Sequence, residues 1–130
     1  MCSNSGVMLK EVLLVGAGGF AGSAARYLVS AVMIGTQPAH FLPWGTLTVN
    51  GAGALLIGFF LAVAGQGSWY YLLVAGFCGG FTTFSTFSAE LLGMLRQEEW
   101  LQSAAYIAAS IAICVTLVWI GMMMGAKVAK

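Results

Sequence analysis

No acidic residue occurs between Glu11 and Glu90, and the only basic residue in that interval is Arg26. So long a stretch with one formal charge cannot hold a water shell around a packed fold, and this decides the solvent before it decides the fold. A soluble domain carries about 25% charged residues. Here charged residues make up 7% of 130 positions and hydrophobic residues 60%, with a mean hydropathy of +0.93. Lipid can cover such a surface. The net charge of +1 gives no cluster of Lys and Arg for a nucleic-acid surface, so nucleic acid is excluded as a partner.

Polar interruptions divide the apolar chain into four segments, each long enough to cross a bilayer, which takes about 20 residues at ~1.5 Å each. The expected spans are Val12–Ile34, Trp44–Ala64, Tyr71–Leu95 and Leu101–Met124. Gly35-Thr36-Gln37-Pro38 ends the first, and Gly65-Gln66-Gly67-Ser68 ends the second. Trp69, Tyr70 and Tyr71 form an aromatic belt at an interface. The polar run Arg96-Gln97-Glu98-Glu99 separates the last two spans. Connections this short make neighbouring helices antiparallel. The expected fold class is an all-α membrane protein, one four-helix transmembrane domain over residues 1–130. Its first apolar run continues through Arg26 to Ile34, longer than a cleaved signal peptide.

Charge gives almost no orientation. Lys10, Lys127 and Lys130 fall on one face of the membrane, and Arg26 and Arg96 on the other. The positive-inside rule works through a bias in Lys and Arg, and none is present. Either other cues fix one topology, or the chain inserts both ways and pairs antiparallel. A four-helix unit is also thin for enclosing a pore, which favours an oligomer. Cys2, Cys78 and Cys114 have no metal-ligand spacing, and the last two read as small apolar side chains within spans.

Val15-Gly16-Ala17-Gly18-Gly19-Phe20-Ala21-Gly22 imitates the glycine turn of a dinucleotide fold, but that fold needs an acid about 20 residues on, and none is there. Gly18 and Gly22, four apart, instead form a small-residue face that permits close helix approach. Catalytic patterns are missing too: no Ser/His/acid set, no His and Cys cluster and no paired carboxylates, so an enzyme is not expected.

Polar groups at membrane depth are costly and mark functional positions. Thr46 and Asn50 share a face of the second helix, continued by Gly53 and Ala54. Asn50 offers two donors and an acceptor, for an ion or for a neighbouring helix. The third helix carries Gly79-Gly80-Phe81-Thr82-Thr83-Phe84-Ser85-Thr86-Phe87-Ser88, whose glycines, hydroxyls and β-branches weaken a helix. A break there frees backbone groups that must face protein, ions or water. Phe84 and Phe87 are three apart, and their ring edges are electropositive, although phenylalanine in a span ordinarily packs. Ser103, Tyr106, Ser110 and Cys114 form a mild polar stripe in the fourth helix, whose hydroxyls can equally bond back to their own helix. Glu90 lies a turn beyond Phe87 and is placed for a water-filled vestibule. Arg26 is placed to snorkel or to meet a carboxylate. His40, in a loop, points to nothing specific.

These strings together resemble the Fluc/CrcB fluoride channel family across nearly the whole chain. The likeness is carried by Gly18-Gly19-Phe20-Ala21-Gly22-Ser23-Ala24-Ala25-Arg26-Tyr27, by Gly45-Thr46-Leu47-Thr48-Val49-Asn50-Gly51, and by Gly76-Phe77-Cys78-Gly79-Gly80 leading into Thr82-Thr83-Phe84-Ser85-Thr86-Phe87-Ser88-Ala89-Glu90. The resemblance implies a dual-topology antiparallel homodimer in the plasma (inner) membrane. It also implies two fluoride pores, passive fluoride export that confers resistance, and a structural Na⁺ at the dimer centre. It places Asn50, Phe84 and Phe87 in the anion pathway, with Thr46, Thr83, Ser85, Tyr106, Ser110 and Glu90 along a polar track. Backbone carbonyls of Gly79 and Thr82 from both subunits would hold the Na⁺. The rival readings are a small dual-topology, proton-coupled multidrug exporter and a purely structural membrane subunit. The first needs a carboxylate in mid-span of the first helix, where none stands; the second leaves Asn50 and the Thr-Thr-Phe-Ser-Thr-Phe run unexplained.

Overall fold

A computed structural model describes residues 2–34 and 42–130, with side chains from Asn4 onward. The segment Gly35-Thr36-Gln37-Pro38 and His40 lie outside the described residues. Five helical pieces follow in order. They are α1 (Cys2–Ile34), α2 (Trp44–Val63), α3 (a π-helical stretch Tyr70–Cys78 continued by the turn Gly79–Phe81), α4 (Phe84–Arg96) and α5 (Trp100–Val128). Taken as one interrupted rod, Tyr70–Arg96 joins α1, α2 and α5 as a fourth segment long and apolar enough to cross a membrane. The protein is all-helical, with four such spans among the described residues.

Two helix pairs make the body: α1 lies against α3, and α2 against α5. Glycines set both approaches. A Cβ on Gly18 would strike the Leu72 carbonyl, and one on Gly22 the Phe77 carbonyl, so the small face read from the sequence is used for backbone-to-backbone packing with α3. Gly58 lies against the Val118 carbonyl and Gly121 against that of Leu55, which seats α5 on α2 in the same way. Apolar side chains alone would not select these contacts, because lipid tails solvate them equally well. Tyr106, Val49 and Cys78 are fully buried. Leu13, Phe20 and Leu28 on α1 and Leu101 and Trp119 on α5 face outward, as a lipid-covered surface requires.

The break in the third span falls within the Gly79–Ser88 run, at its threonines rather than at its glycines. Gly79 and Gly80 stay helical, and the chain leaves the helix at Thr82 (φ −77°, ψ 156°) and Thr83 (φ −146°, ψ 107°). Gly80 instead lets α3 rest on the Gly19 backbone. Thr83 then starts α4 as its N-cap, its Oγ1 accepting from the Thr86 N–H at 3.2 Å. At the far end α4 stops in a Schellman turn. Glu99 N–H donates to the Met94 carbonyl and Glu98 N–H to that of Leu95, with Glu98 at φ 59°.

Candidate functional site

The site is built around the two extended residues between α3 and α4. In an unbroken helix the Thr83 N–H would donate to the Gly79 carbonyl. Here it donates to Asn50 Oδ1 at 2.7 Å, and Asn50 Nδ2 donates back to the Thr83 carbonyl at 3.1 Å. One planar amide thus satisfies both backbone groups of a residue that has left the helix, at a depth where water is scarce. Thr82 stays tied to the preceding turn, its N–H and its Oγ1 both donating to the Cys78 carbonyl at 3.0 and 2.8 Å.

The carbonyl end of α3 is held from the other side. Arg26 Nε donates to the Gly80 carbonyl at 3.2 Å and Ser23 Oγ to the same oxygen at 3.4 Å. A cation at a helix C-terminus also suits the helix dipole. Arg26 therefore caps the broken helix. Its sequence pointed toward the interface or a carboxylate, because nothing local says which helix end will pass beside it.

A groove of about 450 Å³, open along one side, runs between α2, the break and α5. Asn50, Thr82, Thr83, Phe84, Phe87 and Ser110 contribute to its walls, with Cys114 further along. Phe84 is 79% exposed, its ring 5.7 Å from that of Phe87, which in turn lies 4.8 Å from Tyr106. The rings form a file leading from the groove toward Glu90. Electropositive ring edges and the second Nδ2 hydrogen of Asn50 are the donors this groove offers to a small anion.

Beyond Phe87 three side chains from three helices meet. Glu90 accepts from Thr46 Oγ1 at 2.7 Å through one oxygen and from the Tyr106 hydroxyl at 2.6 Å through the other. Thr46 and Tyr106 are buried, so the carboxyl group is fixed by two short hydrogen bonds. The helical spacing of Thr46 to Asn50 and of Tyr106 to Ser110 continues this cluster into the groove.

The sequence-derived residues are thus largely brought together, in two linked groups: Asn50, Thr83, Phe84, Phe87 and Ser110 at the groove, and Thr46, Glu90 and Tyr106 beside it. Ser85 sits apart, exposed on the first turn of α4, with its Oγ 3.3 Å from Thr83 Oγ1. Ser103 bonds back to the Glu99 carbonyl, the self-contained arrangement that a helical hydroxyl ordinarily takes. Thr86, not singled out by the sequence, donates its N–H to Thr83 Oγ1 and accepts from the Thr83 hydroxyl through its own Oγ1; the spacing of an N-cap and its third residue was the available signal.

A hard monovalent cation is bound by oxygen atoms, and the break supplies some. Diversion of the Thr83 N–H to Asn50 releases the Gly79 carbonyl from its helical donor, and Thr82 is extended. Gly79 is exposed on the single chain, and a Cβ there would meet nothing within 4 Å. The Gly80 carbonyl, by contrast, is taken by Arg26 and Ser23. The donor set at Gly79 and Thr82 fits backbone coordination of such an ion.

Residues 13–122 match the family model described as CrcB-like protein, Camphor Resistance (CrcB). Curated relatives share most of their length with the chain. A protein of Chlorobaculum tepidum named fluoride-specific ion channel FluC is 47% identical over 111 residues, covering 82% of this chain and 86% of the relative. Proteins of the same name from Rhodospirillum rubrum and Methanococcus vannielii are 38% and 36% identical, over 84% and 92% of this chain and 89% and 98% of theirs.

Proposed function

The chain belongs to the CrcB-like family, and from that premise we propose that it is a fluoride-specific ion channel, a multi-pass membrane protein and not an enzyme. The observation that carries the reading in this molecule is the groove in which Asn50, Phe84 and Phe87 converge on the Thr82–Thr83 break. Fluoride is small and strongly hydrated, so a pathway must replace its water with several fixed donors. Asn50 gives one N–H, Phe84 and Phe87 give ring edges, and Ser110 gives a hydroxyl, while Thr83, whose hydroxyl donates to Thr86, lines the wall. Because these groups are set by helix packing, larger halides find no matching cage. Thr46, Tyr106 and Glu90 continue the track, with Ser85 at its margin.

No energy source is needed. A cell interior at negative potential drives an anion outward with ~2.3 kcal/mol per charge per 100 mV. Cytoplasmic fluoride leaves passively through the plasma (inner) membrane, and the cell becomes resistant to it. A proton-coupled exporter would need a carboxylate in the middle of α1 (Cys2–Ile34), whose one acid, Glu11, lies about two turns before the helix midpoint. Fluoride efflux from liposomes, followed with a proton-sensitive dye inside, separates the two readings. A channel carries fluoride with no obligatory proton counterflow; efflux that stops when proton movement is blocked would contradict it.

The proposed working unit is an antiparallel homodimer with two pores. Three features support it: the groove is open along one side of a single chain, a Cβ at Gly79 would meet nothing within 4 Å, and Lys and Arg set no orientation. Carbonyls of Gly79 and Thr82 from both subunits would hold a structural Na⁺. When bound, that ion supplies a fixed positive charge among converging carbonyl dipoles. The residues of this chain present the oxygens and keep their helix open.

A further inference from the structure

Resting on the channel reading above, we propose that Asn50 is a positioning residue as well as a wall of the groove: its amide replaces the helix ladder at Thr83 and holds the third span open. Its Oδ1 and one Nδ2 hydrogen are already committed to the Thr83 backbone, at 2.7 and 3.1 Å. Only one N–H remains for an anion. A residue selected solely to donate to a passing ion has no need to spend its acceptor in this way.

Two further observations fit a clamp. Gly53 is one helical turn along α2 from Asn50, and a Cβ there would collide with Thr82 Cγ2, so its bareness lets α2 lie directly on the break. Thr82 and Thr83 do not hold the break by themselves. The hydroxyl of Thr82 bonds back to Cys78 and favours continuing the helix, and that of Thr83 serves α4. Without Asn50 the Thr83 N–H has two outcomes. It faces water in the groove, or it returns to the Gly79 carbonyl and closes the helix. Closure would turn Phe84 and Phe87 about the helix axis and remove the Gly79 oxygen from the donor set. Asn50 therefore couples the anion groove to the carbonyls of the break through one peptide unit.

The test reads the Thr83 backbone by NMR in the full-length protein in detergent micelles, with isotope-labelled threonine. In the wild type the Thr83 amide exchanges slowly and its carbon shifts are extended. In Asn50→Ala we expect exchange at Thr83 at least about tenfold faster, the loss of one buried hydrogen bond, or carbon shifts moved to helical values. The Thr82 amide, bonded to Cys78, stays protected and reports that the fold persists. Asn50→Asp keeps an acceptor for the Thr83 N–H, so Thr83 stays protected and extended there although a donor is lost. Wild-type exchange with extended shifts at Thr83 in Asn50→Ala would overturn the proposal. If the Ala variant does not fold, the Asp variant decides: Thr83 losing protection despite the retained acceptor overturns it equally. Failure of the channel reading looks different, as wild-type liposomes that do not pass fluoride while the Thr83 result stands.

Discussion

Single residues divide into those proposed to touch the ion and those that shape its path. Replacing Phe84 or Phe87 with Ile keeps an apolar side chain and removes the electropositive ring edge. Phe84 is largely exposed, so the change costs little packing. Fluoride flux in liposomes is expected to fall by at least about tenfold, with elution on size exclusion unchanged. Near-normal flux would mean that these rings only pack. Tyr106→Phe tests the other kind of residue. It removes the 2.6 Å donor to Glu90 and leaves a carboxylate oxygen short of a partner. Stability should drop by about 1–3 kcal/mol in a denaturation titration; an unchanged midpoint would contradict the fixed-carboxylate reading. The spacing of Thr46 and Asn50 made their shared face legible in the sequence. Their partners were not legible, because Glu90 and the Thr83 backbone meet them only through helix packing that no local pattern encodes.

Among the helical elements, glycine divides the close contacts from the open ones. Gly22 faces the Phe77 carbonyl, which is backbone and cannot step aside. Gly22→Ala should therefore destabilise the α1–α3 pair by about 1–3 kcal/mol, seen as an earlier unfolding midpoint in detergent. At Glu98 the opposite holds, since a left-handed residue without β-carbon strain is preferred at a Schellman cap. Glu98→Gly should raise the midpoint by about 1 kcal/mol or less; a loss would show that the Glu98 side chain matters more than its φ. The four apolar runs were readable because lipid demands uninterrupted hydrophobicity. The π-helical register of Tyr70–Cys78 was not, because its residues are apolar all round and leave no period to read. The break was foreseen within the run Gly79–Ser88 and lies there, at its threonines Thr82–Thr83. In this membrane span Gly76 and Gly80 serve close approach, while a side chain from α2 stands where the chain departs from the helix.

For the whole molecule, the same chain offers a lipid-covered exterior, a groove open along one side and a bare Gly79. A methyl group at position 79 meets nothing within the chain, and alanine is the better helix former. Gly79→Ala should thus leave the single chain folded while weakening its proposed antiparallel partner contact. Cross-linking at several protein-to-lipid ratios would show it, and an unaltered dimer would place the partner elsewhere. The central claim is tested most directly by one comparison. Purified wild-type protein in liposomes loaded with potassium fluoride or potassium chloride, with valinomycin to balance charge, should release fluoride rapidly and retain chloride. Equal release of the two halides, or retention of both by folded protein, would contradict it.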